Sequence, residues 1–385
     1  MTRPIARTEL SGGEQAQWGL LALCLFILAA GTTLPQRLAG MNSIINYSPS
    51  ESLYGVLSAG VMIFACIILV LWNASRRGGR AYRPTGIEAG LGLLLAAGLL
   101  GIFLASDKRT AVNHLVFIIA PMFMGILLVQ LLDSAAKVKV LLYTMVALGI
   151  VNTYECADQF FFSNEVMVQQ YKEDPLAMLA KVGIQPDSYQ HMMFEHHLKS
   201  RDVRGFFSTS NSSGSFLLLA LFAAMALIVE GRSLHLSGRA TVGEMVGKYL
   251  ALAAVAFGLL LTQSKGAIGS AIISCVLLLV WHLFRDWLTR HRTATVLCAA
   301  ATVVAVWTGI IAYGTTHDTL PGGKSMLVRW QYWTGAARMY ADHPLGVGGG
   351  NFAVWYPTYK IPAAPETVKD PHNFVLSFLT QYGPL

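Results

Sequence analysis

His372 is the titratable residue whose surroundings in the sequence best suit chemistry. It stands where a long polar segment gives way to an apolar stretch, with Asp370 before it and Asn373 after it. An imidazole at such a boundary can act as a base near neutral pH or donate to a phosphate, and a nearby carboxylate can orient the ring. A histidine that only caps the following helix is the structural alternative. The pattern makes His372 a candidate catalytic base.

Cationic side chains stand near the ends of other apolar stretches, and they are Arg201, Arg204, Lys265, Arg329 and Arg338. Cations gathered in such places indicate a phosphorylated lipid or an anionic sugar as the ligand, with ordinary phospholipid headgroups as the alternative. Residues 208–211, which follow Arg204, read Ser-Thr-Ser-Asn. This run suits a helix cap, and a capped helix start with guanidinium groups nearby also suits a phosphate.

The segment between residues 315 and 372 is rich in aromatic residues and glycine. Trp330 and its aromatic neighbours suit either a belt at the membrane interface or stacking on the faces of sugars. His343 precedes a proline and is expected mainly to pack the turn, with contact to substrate as the alternative. The glycines within residues 346–350 permit tight turns and close approach of a ligand. They neither follow a strand nor open a βαβ unit, which excludes dinucleotide or ATP binding.

The elements that must position these residues are transmembrane helices. Apolar residues make up 54% of the chain and charged residues 13%, about half the charged share of a soluble domain. The apolar blocks approach the roughly 20 residues that cross a bilayer, and lipid leaves the backbone no partners outside a helix. An all-α polytopic membrane protein with about ten spans is therefore predicted. The spans lie near Trp18–Leu34, Leu53–Trp72, Gly86–Ala105, Val112–Leu132, Val138–Tyr154, Ser212–Glu230, Met245–Thr262, Ala267–Phe284 and Ala294–Tyr313, with a tenth that begins at Asn373 and is incomplete at Leu385.

The short loops predict the orientation. We predict a cytoplasmic N-terminus, because in that orientation the inner loops carry most of the Arg and Lys residues that lie in short loops, as the positive-inside rule requires. Two long loops with short helices then face outwards. The predicted organisation is N-terminal transmembrane helices in 1–154, a first outer loop in 155–211, central transmembrane helices in 212–314, a large outer loop in 315–372, and the start of a further helix in 373–385. The net charge of +7 mostly reflects this topology.

Several kinds of site are excluded by the sequence. The five cysteines show no disulfide or metal spacing. His191, Glu195, His196 and His197 cluster in the first outer loop, but their order is not that of a zinc motif, so a polar loop helix without metal is expected. No module that reads nucleic acid is present in the sequence. We therefore predict no metal, no cofactor and no nucleic-acid partner.

Five segments carry a resemblance to a known family. They are Arg329-Trp330, His343-Pro344-Leu345-Gly346, His372-Asn373-x-x-Leu376-x6-Gly383, Thr262-Gln263-Ser264-Lys265-Gly266, and Gly205-Phe206-Phe207-Ser208-Thr209-Ser210-Asn211 with an arginine before it. From about Arg201 to Leu385 this order resembles the O-antigen ligase and polymerase superfamily of envelope glycosyltransferases. The chain departs from the usual pattern in having Lys265 for Arg and Thr-Ser for Asn-Pro. Either Arg201 or Arg204 can match the superfamily's arginine.

The resemblance implies a fold of about a dozen helices with a cavity at the periplasmic face of the bacterial inner membrane. Because relatives usually continue beyond this point, it also suggests that the sequence is a fragment. The implied activity moves a glycan from undecaprenyl pyrophosphate to an acceptor with inversion, without metal or nucleotide. The arginine, Lys265 and Arg329 would bind the pyrophosphate, with Arg338, Trp330, Asn373 and His343 as further substrate-binding candidates. His372 would activate the acceptor hydroxyl.

Three transfers use this donor chemistry: ligation to a lipid A core, polymerisation of repeat units into O-antigen or exopolysaccharide, and O-glycosylation of a protein. The expected partners are accordingly the lipid-linked glycan, one of these acceptors, and membrane lipids. A polysaccharide or lipid transporter is the alternative of another class. Transporters typically show internal repeats and charges in mid-membrane, and the sequence shows no clear repeat and few such charges.

Overall fold

The computed structural model describes residues 12–39, 82–181, 183–207, 209–321, 324–362 and 367–384, together with residues 60, 63, 67 and 364. Within these ranges the chain is helical and no strand occurs. The helices, numbered in chain order, are α1 (Gly12–Ala39), α2 (Glu88–Leu104), α3 (Lys108–Leu131), α4 (Ala135–Asp158), α5 (Asn164–Glu173), α6 (Pro175–Lys181), α7 (Tyr189–Ser200), α8 (Ser210–Leu236), α9 (Val242–Leu261), α10 (Lys265–Arg290), α11 (Arg292–His317), α12 (Lys324–Asp342), α13 (Phe352–Tyr359) and α14 (Phe374–Tyr382). One turn of π-helix, Gln159–Ser163, joins α4 to α5.

Seven helical segments of the described chain are long and apolar enough to cross a membrane, namely α1, α3, α4 with its continuation into α5, α8, α9, α10 and α11. The apolar helix α2 is shorter, at 17 residues. These segments confirm the predicted polytopic all-α membrane fold. The predicted span Leu53–Trp72 lies outside the described residues, apart from residues 60, 63 and 67.

The last predicted span differs from the structure. We predicted a helix still running at Leu385, but α14 is 9 residues long and ends at Tyr382. Gly383 follows with a φ of 75° and donates its N–H to the carbonyl of Leu379 at 3.0 Å. Its ψ is −162°, so the chain leaves the helix at this residue in a positive-φ conformation that glycine adopts without a steric penalty.

The chain forms two compact units, one from Met1–Ser48 and Leu127–Leu277 and the other from Pro49–Ile126 and Leu278–Leu385. In the first unit α4, α8 and α9 pack around buried residues such as Val255. A Cβ added to Gly149 would lie 2.6 Å from the Cβ of Ala220, and one added to Gly258 would overlap Thr153. Small residues at these crossings let the helix backbones approach closely, as is typical of helices that associate in lipid.

The first outer loop has a core of its own within the same unit. Helices α5 and α7 enclose Leu179 and Phe194, both nearly inaccessible to solvent. The predicted polar loop helix is therefore a packed substructure with an apolar interior.

In the second unit α14 packs against α12 and α2. Tyr382 joins the apolar cluster between α2 and α3, while Leu376 contacts the cluster of α12 and α13 around Tyr332 and Tyr356. The short helix α14 thus connects the two apolar clusters of this unit. It also carries Asn373 at its N-terminus, beside His372.

Labelling of single cysteines tests the predicted topology. Arg239, in the short α8–α9 loop, and Pro362, after α13, are both exposed. With an impermeant thiol reagent on intact cells, we expect Pro362→Cys to react and Arg239→Cys to react only after the membrane is opened. The parent chain measures the background from native cysteines. The reverse labelling pattern would contradict a cytoplasmic N-terminus.

Candidate functional site

The segment that contains Arg204 is held by two side chains of the α4 region. Gln159 Oε1 accepts the N–H groups of Arg204 and Gly205, both at 2.9 Å, and its Nε2 donates to the carbonyl of Gly205 at 3.0 Å. Asn152 Oδ1 accepts the N–H of Phe206 at 3.0 Å. Gln159 opens the π-helical turn, a local irregularity that occurs frequently at functional sites. Four hydrogen bonds therefore fix the backbone from which the Arg204 side chain extends.

Gly205 allows the Arg204 segment to approach Asn152 this closely. Its φ is 55°, in the left-handed region. A Cβ at this position would overlap the Oδ1 atom of Asn152, which is itself buried. Any larger residue would therefore push the segment away from the side chain that orients it.

The structure distinguishes the two candidate arginines. Arg201 is exposed and forms an ion pair with Glu165 at 2.7 Å. Arg204 is half-buried, and this burial lowers the pKa of its guanidinium while Asp202 acts in the opposite direction. A guanidinium nevertheless stays protonated at neutral pH. Because it has lost part of its hydration, the Arg204 cation gains more than Arg201 from an anionic ligand.

Both arginines line a small cavity between α5, α7 and the following loop. Asn164 and Asp202 contribute polar atoms to its wall, and its volume is about 30 Å³. A cavity of that size holds about one water molecule. It is too small to hold a sugar.

Lys265 begins α10 and is exposed. The turn before it is joined to the first turn of α8, where the hydroxyl of Ser264 donates to Asn211 Oδ1 at 2.7 Å. A Cβ on Gly214 of α8 would lie 2.7 Å from the Cβ of Ala267. The N-termini of α8 and α10 are therefore neighbours, and each brings the positive end of its helix dipole to this place.

Hydrogen bonds connect the Arg204 segment to the same helix ends. Asn152, which holds Phe206, also donates to Ser213 Oγ in the first turn of α8 at 2.8 Å. Thr209 caps α8 by accepting the N–H of Ser212 at 3.1 Å. The first unit thus joins the segments of Arg204 and Lys265 through neighbouring side chains, as a site for a phosphorylated ligand requires.

His372 lies in the second unit in an unusual backbone conformation. Its φ is 53°, in the left-handed region that few residues other than glycine adopt. Its N–H donates to Asp370 Oδ1 at 2.8 Å, and the other carboxylate oxygen accepts the hydroxyl of Ser377 at 2.5 Å. Asp370 therefore holds the backbone of His372 and anchors it to α14, whereas the sequence suggested that it would orient the ring.

Helix capping at this position is performed by Asn373. Its Oδ1 accepts the N–H of Leu376 at 3.2 Å, and it is the N-cap residue of α14. His372 is exposed and precedes the cap, so its ring is not needed to begin the helix. The ring lies 5.8 Å from that of Tyr332 on α12, measured between centroids.

The candidates on α12 occupy different faces. Arg329 precedes Tyr332 by three residues and therefore shares its face, on the side of His372. Arg338 follows Arg329 by nine residues, about half a turn out of phase, and is exposed. Trp330 packs its ring on Gly314 of α11. Of these three residues, only Arg329 is on the face that contacts His372.

His343 and the glycine run have packing roles in the structure. His343 Nε2 lies 3.0 Å from the hydroxyl of Tyr359, and the ring packs edge-on against Trp355 at 4.5 Å. The glycine run lies alongside the C-terminal turn of α14, and there the N–H of Gly348 donates to the carbonyl of Gln381 at 3.0 Å. A Cβ on Gly348, whose φ is 87°, would lie 2.6 Å from the Cβ of Ala105. The close approach that these glycines permit is therefore between backbone segments of the protein.

Sequence reasoning missed a polar cluster beneath the glycine run. His114 Nδ1 lies 2.7 Å from the hydroxyl of Tyr382, which is distant by 268 positions in sequence. Asn351, fully buried, accepts the N–H of Asp107 at 2.8 Å. Asp370 is near enough to interact electrostatically with His114. No sequence pattern could have paired these residues, because each stands alone in its own segment.

The first outer loop contains a chain of hydrogen bonds where the sequence showed a histidine cluster. The Tyr171 hydroxyl donates to Glu195 Oε1 at 2.8 Å and lies 2.7 Å from His191 Nε2. Lys199 donates to the second oxygen of Glu195 at 2.7 Å. Among the described residues there is no group of three or more His, Cys, Asp or Glu that could hold a metal.

The Glu195 network predicts that α7 is sensitive to acid. The hydrogen bond from Lys199, followed by that from Tyr171, lowers the pKa of Glu195. A lowered carboxylate pKa adds stability that is complete above the ordinary glutamate value of about 4.3 and is lost as pH falls through the lowered value. Hydrogen-exchange protection of α7 should therefore fall in acid, and Glu195→Gln should abolish this dependence. Equal acid sensitivity in parent and variant would assign it to another group.

Comparison with known proteins found one family. Residues 250–385 match a protein-family model described as O-antigen ligase. The matched range contains Lys265, Arg329, His343 and His372, whereas Arg201 and Arg204 precede it. No curated protein and no solved structure matches the chain.

Proposed function

Since residues 250–385 place this membrane protein in the O-antigen ligase and polymerase superfamily, we propose that it transfers a glycan from undecaprenyl pyrophosphate to an acceptor. The family match, which contains Lys265 and His372, is the observation that carries the proposal. We further propose that transfer occurs at the periplasmic face of the inner membrane, with inversion and without metal.

In the proposed reaction an acceptor hydroxyl attacks the anomeric carbon of the donor sugar. The new glycosidic C–O bond forms as the C–O bond to pyrophosphate breaks, and undecaprenyl pyrophosphate leaves with the electron pair. The proton of the hydroxyl passes to the His372 imidazole. Attack on the face opposite the leaving group inverts the configuration.

We assign the leaving group to Arg204 and Lys265. Negative charge grows on the pyrophosphate as the bond breaks, so fixed cations stabilise the transition state more than the bound donor. The hydrogen bonds from Gln159 to the Arg204 segment support this role, because a preorganised cation needs little reorganisation during reaction. The exposed ion pair of Arg201 with Glu165 supports a structural role for Arg201.

We assign the acceptor to the His372 side. An exposed ring on a strained backbone, with its helix capped by the neighbouring residue, is free to take a proton from the acceptor. Arg329 shares the face of Tyr332 and is the further substrate-binding residue that we favour. Contact with substrate has less support for the other candidates. Trp330 and His343 pack against the protein, Arg338 is exposed on another face of α12, and Asn373 caps α14.

A transfer assay tests this function. Purified protein is incubated with lipid-pyrophosphate glycan and with lipid A core, repeat-unit and protein acceptors in turn, without ATP or added metal. We expect a new glycosidic product with one of these acceptors, which would also distinguish the ligase, polymerase and protein-glycosylating alternatives. Movement of the intact lipid-linked glycan across a membrane, without a new bond, would instead indicate the transporter.

Lys265 supplies a prediction about the leaving group. Lys265→Arg should retain transfer, because both side chains are cations and the superfamily commonly has arginine here. Lys265→Ala should lower the rate by about 10²–10³-fold, the loss typical of one charge-stabilising group. Initial rates at low donor concentration measure both variants, with Lys172→Ala in α5 as the control for an exposed lysine. Full turnover by Lys265→Ala would remove Lys265 from the phosphate site.

A further inference from the structure

The first unit contains a groove whose lining includes none of the residues that we assign to glycan transfer. It runs between α4, α8 and α9 and has a volume of about 280 Å³. On α9 it extends from Glu244 to Ala251, a distance of about 10 Å along the helix. Val146 and Leu227 form apolar walls on the other two helices. The groove has the shape and lining of a site for a hydrocarbon chain.

One cation lies in this groove without a counter-ion. Lys248 is half-buried among the lining residues, and the described part of the chain gives its ammonium no hydrogen bond or ion pair. A Cβ on Gly231 of α8 would lie 2.6 Å from Lys248 Nζ. The ammonium is therefore held against α8, next to the position of Arg232.

The two carboxylates nearest to Lys248 in sequence and across the groove have other partners. Glu244 Oε2 accepts the N–H of Thr241 at 3.2 Å as part of a capping box at the start of α9. Glu230 on α8 forms an ion pair with Lys139 of α4. Glu244 remains an anion one turn before Lys248, but among the described residues no carboxylate forms an ion pair with the Lys248 ammonium. A partly desolvated ammonium beside apolar walls is therefore open to stabilisation by direct contact with an anionic ligand.

The position of the groove along the helices indicates which anion can reach it. It lies toward the end at which α4 begins, α8 ends and α9 begins, the end that the Arg and Lys residues of the short loops predict to be cytoplasmic. Lipids with anionic headgroups occur in that leaflet and attract cations near its surface. The anionic headgroup of such a lipid matches the Lys248 ammonium, and its acyl chain matches the apolar walls of the groove.

We propose that the groove binds one anionic phospholipid, with its phosphate on Lys248 and an acyl chain along Val146, Leu227 and Ala251. Such a lipid would bind whether or not the protein transfers a glycan. The lipid would occupy a crossing of α4, α8 and α9 that the side chains leave open.

Native mass spectrometry of the full chain tests the site. The protein is exposed to phosphatidylglycerol and phosphatidylcholine with equal acyl chains, and the lipid that resists removal is identified. We expect the parent to retain phosphatidylglycerol about tenfold better, the value of one charge-assisted hydrogen bond. Lys248→Ala should lose the headgroup preference. Retention of neither lipid, or equal retention of both, by the parent would overturn the proposal.

A second variant tests the acyl site. Gly247 lines the groove, and a Cβ added to it would have no neighbouring atom within 4 Å, so Gly247→Leu has room to begin its side chain and adds apolar bulk to the groove wall. It should abolish retention of the tightly held lipid. Gly92→Leu, at a helix position on α2 with the same open surroundings, and Lys172→Ala are matched controls that should behave as the parent. Retention equal to that of the parent in Gly247→Leu and Lys248→Ala would place the lipid elsewhere.

Discussion

Replacement of His372 by alanine is expected to lower the rate of glycan transfer by about 10²–10⁴-fold, the usual cost of removing a general base. The structure separates this effect from a loss of stability. Asn373 caps α14, and the contact of Asp370 with position 372 is made to the backbone N–H, which alanine retains. Donor binding and melting temperature should therefore stay close to those of the parent.

His372→Asn makes the test sharper. Asparagine tolerates the left-handed region better than most residues, so it suits the φ of 53° at this position while lacking a group that takes a proton near neutral pH. We expect it to be almost as inactive as the alanine variant. His317→Asn, which alters an exposed histidine at the end of α11, is the matched control. Transfer by His372→Asn at close to the parent rate would make His372 structural.

Arg204→Ala is expected to lower transfer by about 10²–10³-fold, as removal of a preorganised charge-stabilising group does elsewhere. Stability should change little. The half-buried guanidinium loses part of its hydration when the chain folds, and an alanine side chain avoids that cost in folding free energy. The matched variant Arg201→Ala loses one exposed ion pair, worth at most about 1 kcal/mol. It should transfer glycan at nearly the parent rate.

Gly205→Ala tests whether the position of Arg204 matters as well as its charge. The added Cβ would overlap Asn152 Oδ1 and displace the segment, although the guanidinium itself remains. We expect transfer to fall while the net charge of the protein, and with it the nonspecific attraction of the donor, is unchanged.

The two arginine variants test the assignment itself. Equal activity of Arg204→Ala and Arg201→Ala would contradict the assignment of the leaving group to Arg204.

The sequence by itself determined the class of fold and the identity of most candidate residues. Apolar blocks of membrane-spanning length specify helices because lipid offers the backbone no other partners. Caps such as Thr209 and Asn373 depend on neighbours three residues away, so they too can be predicted from local order. The motif that includes His372 and Gly383 also pointed to the family without any structure.

The tertiary structure alone decided which of those residues are buried and which segments hold them. Gln159 holds Arg204 from 45 positions away, and His114 meets Tyr382 across 268, so no local pattern contains either contact. The choice between Arg201 and Arg204 depends on which side chain is buried, and the role of Gly348 depends on the backbone that approaches it. Burial and contacts between distant segments arise only when the helices pack, because they follow from three-dimensional distance and not from order along the chain.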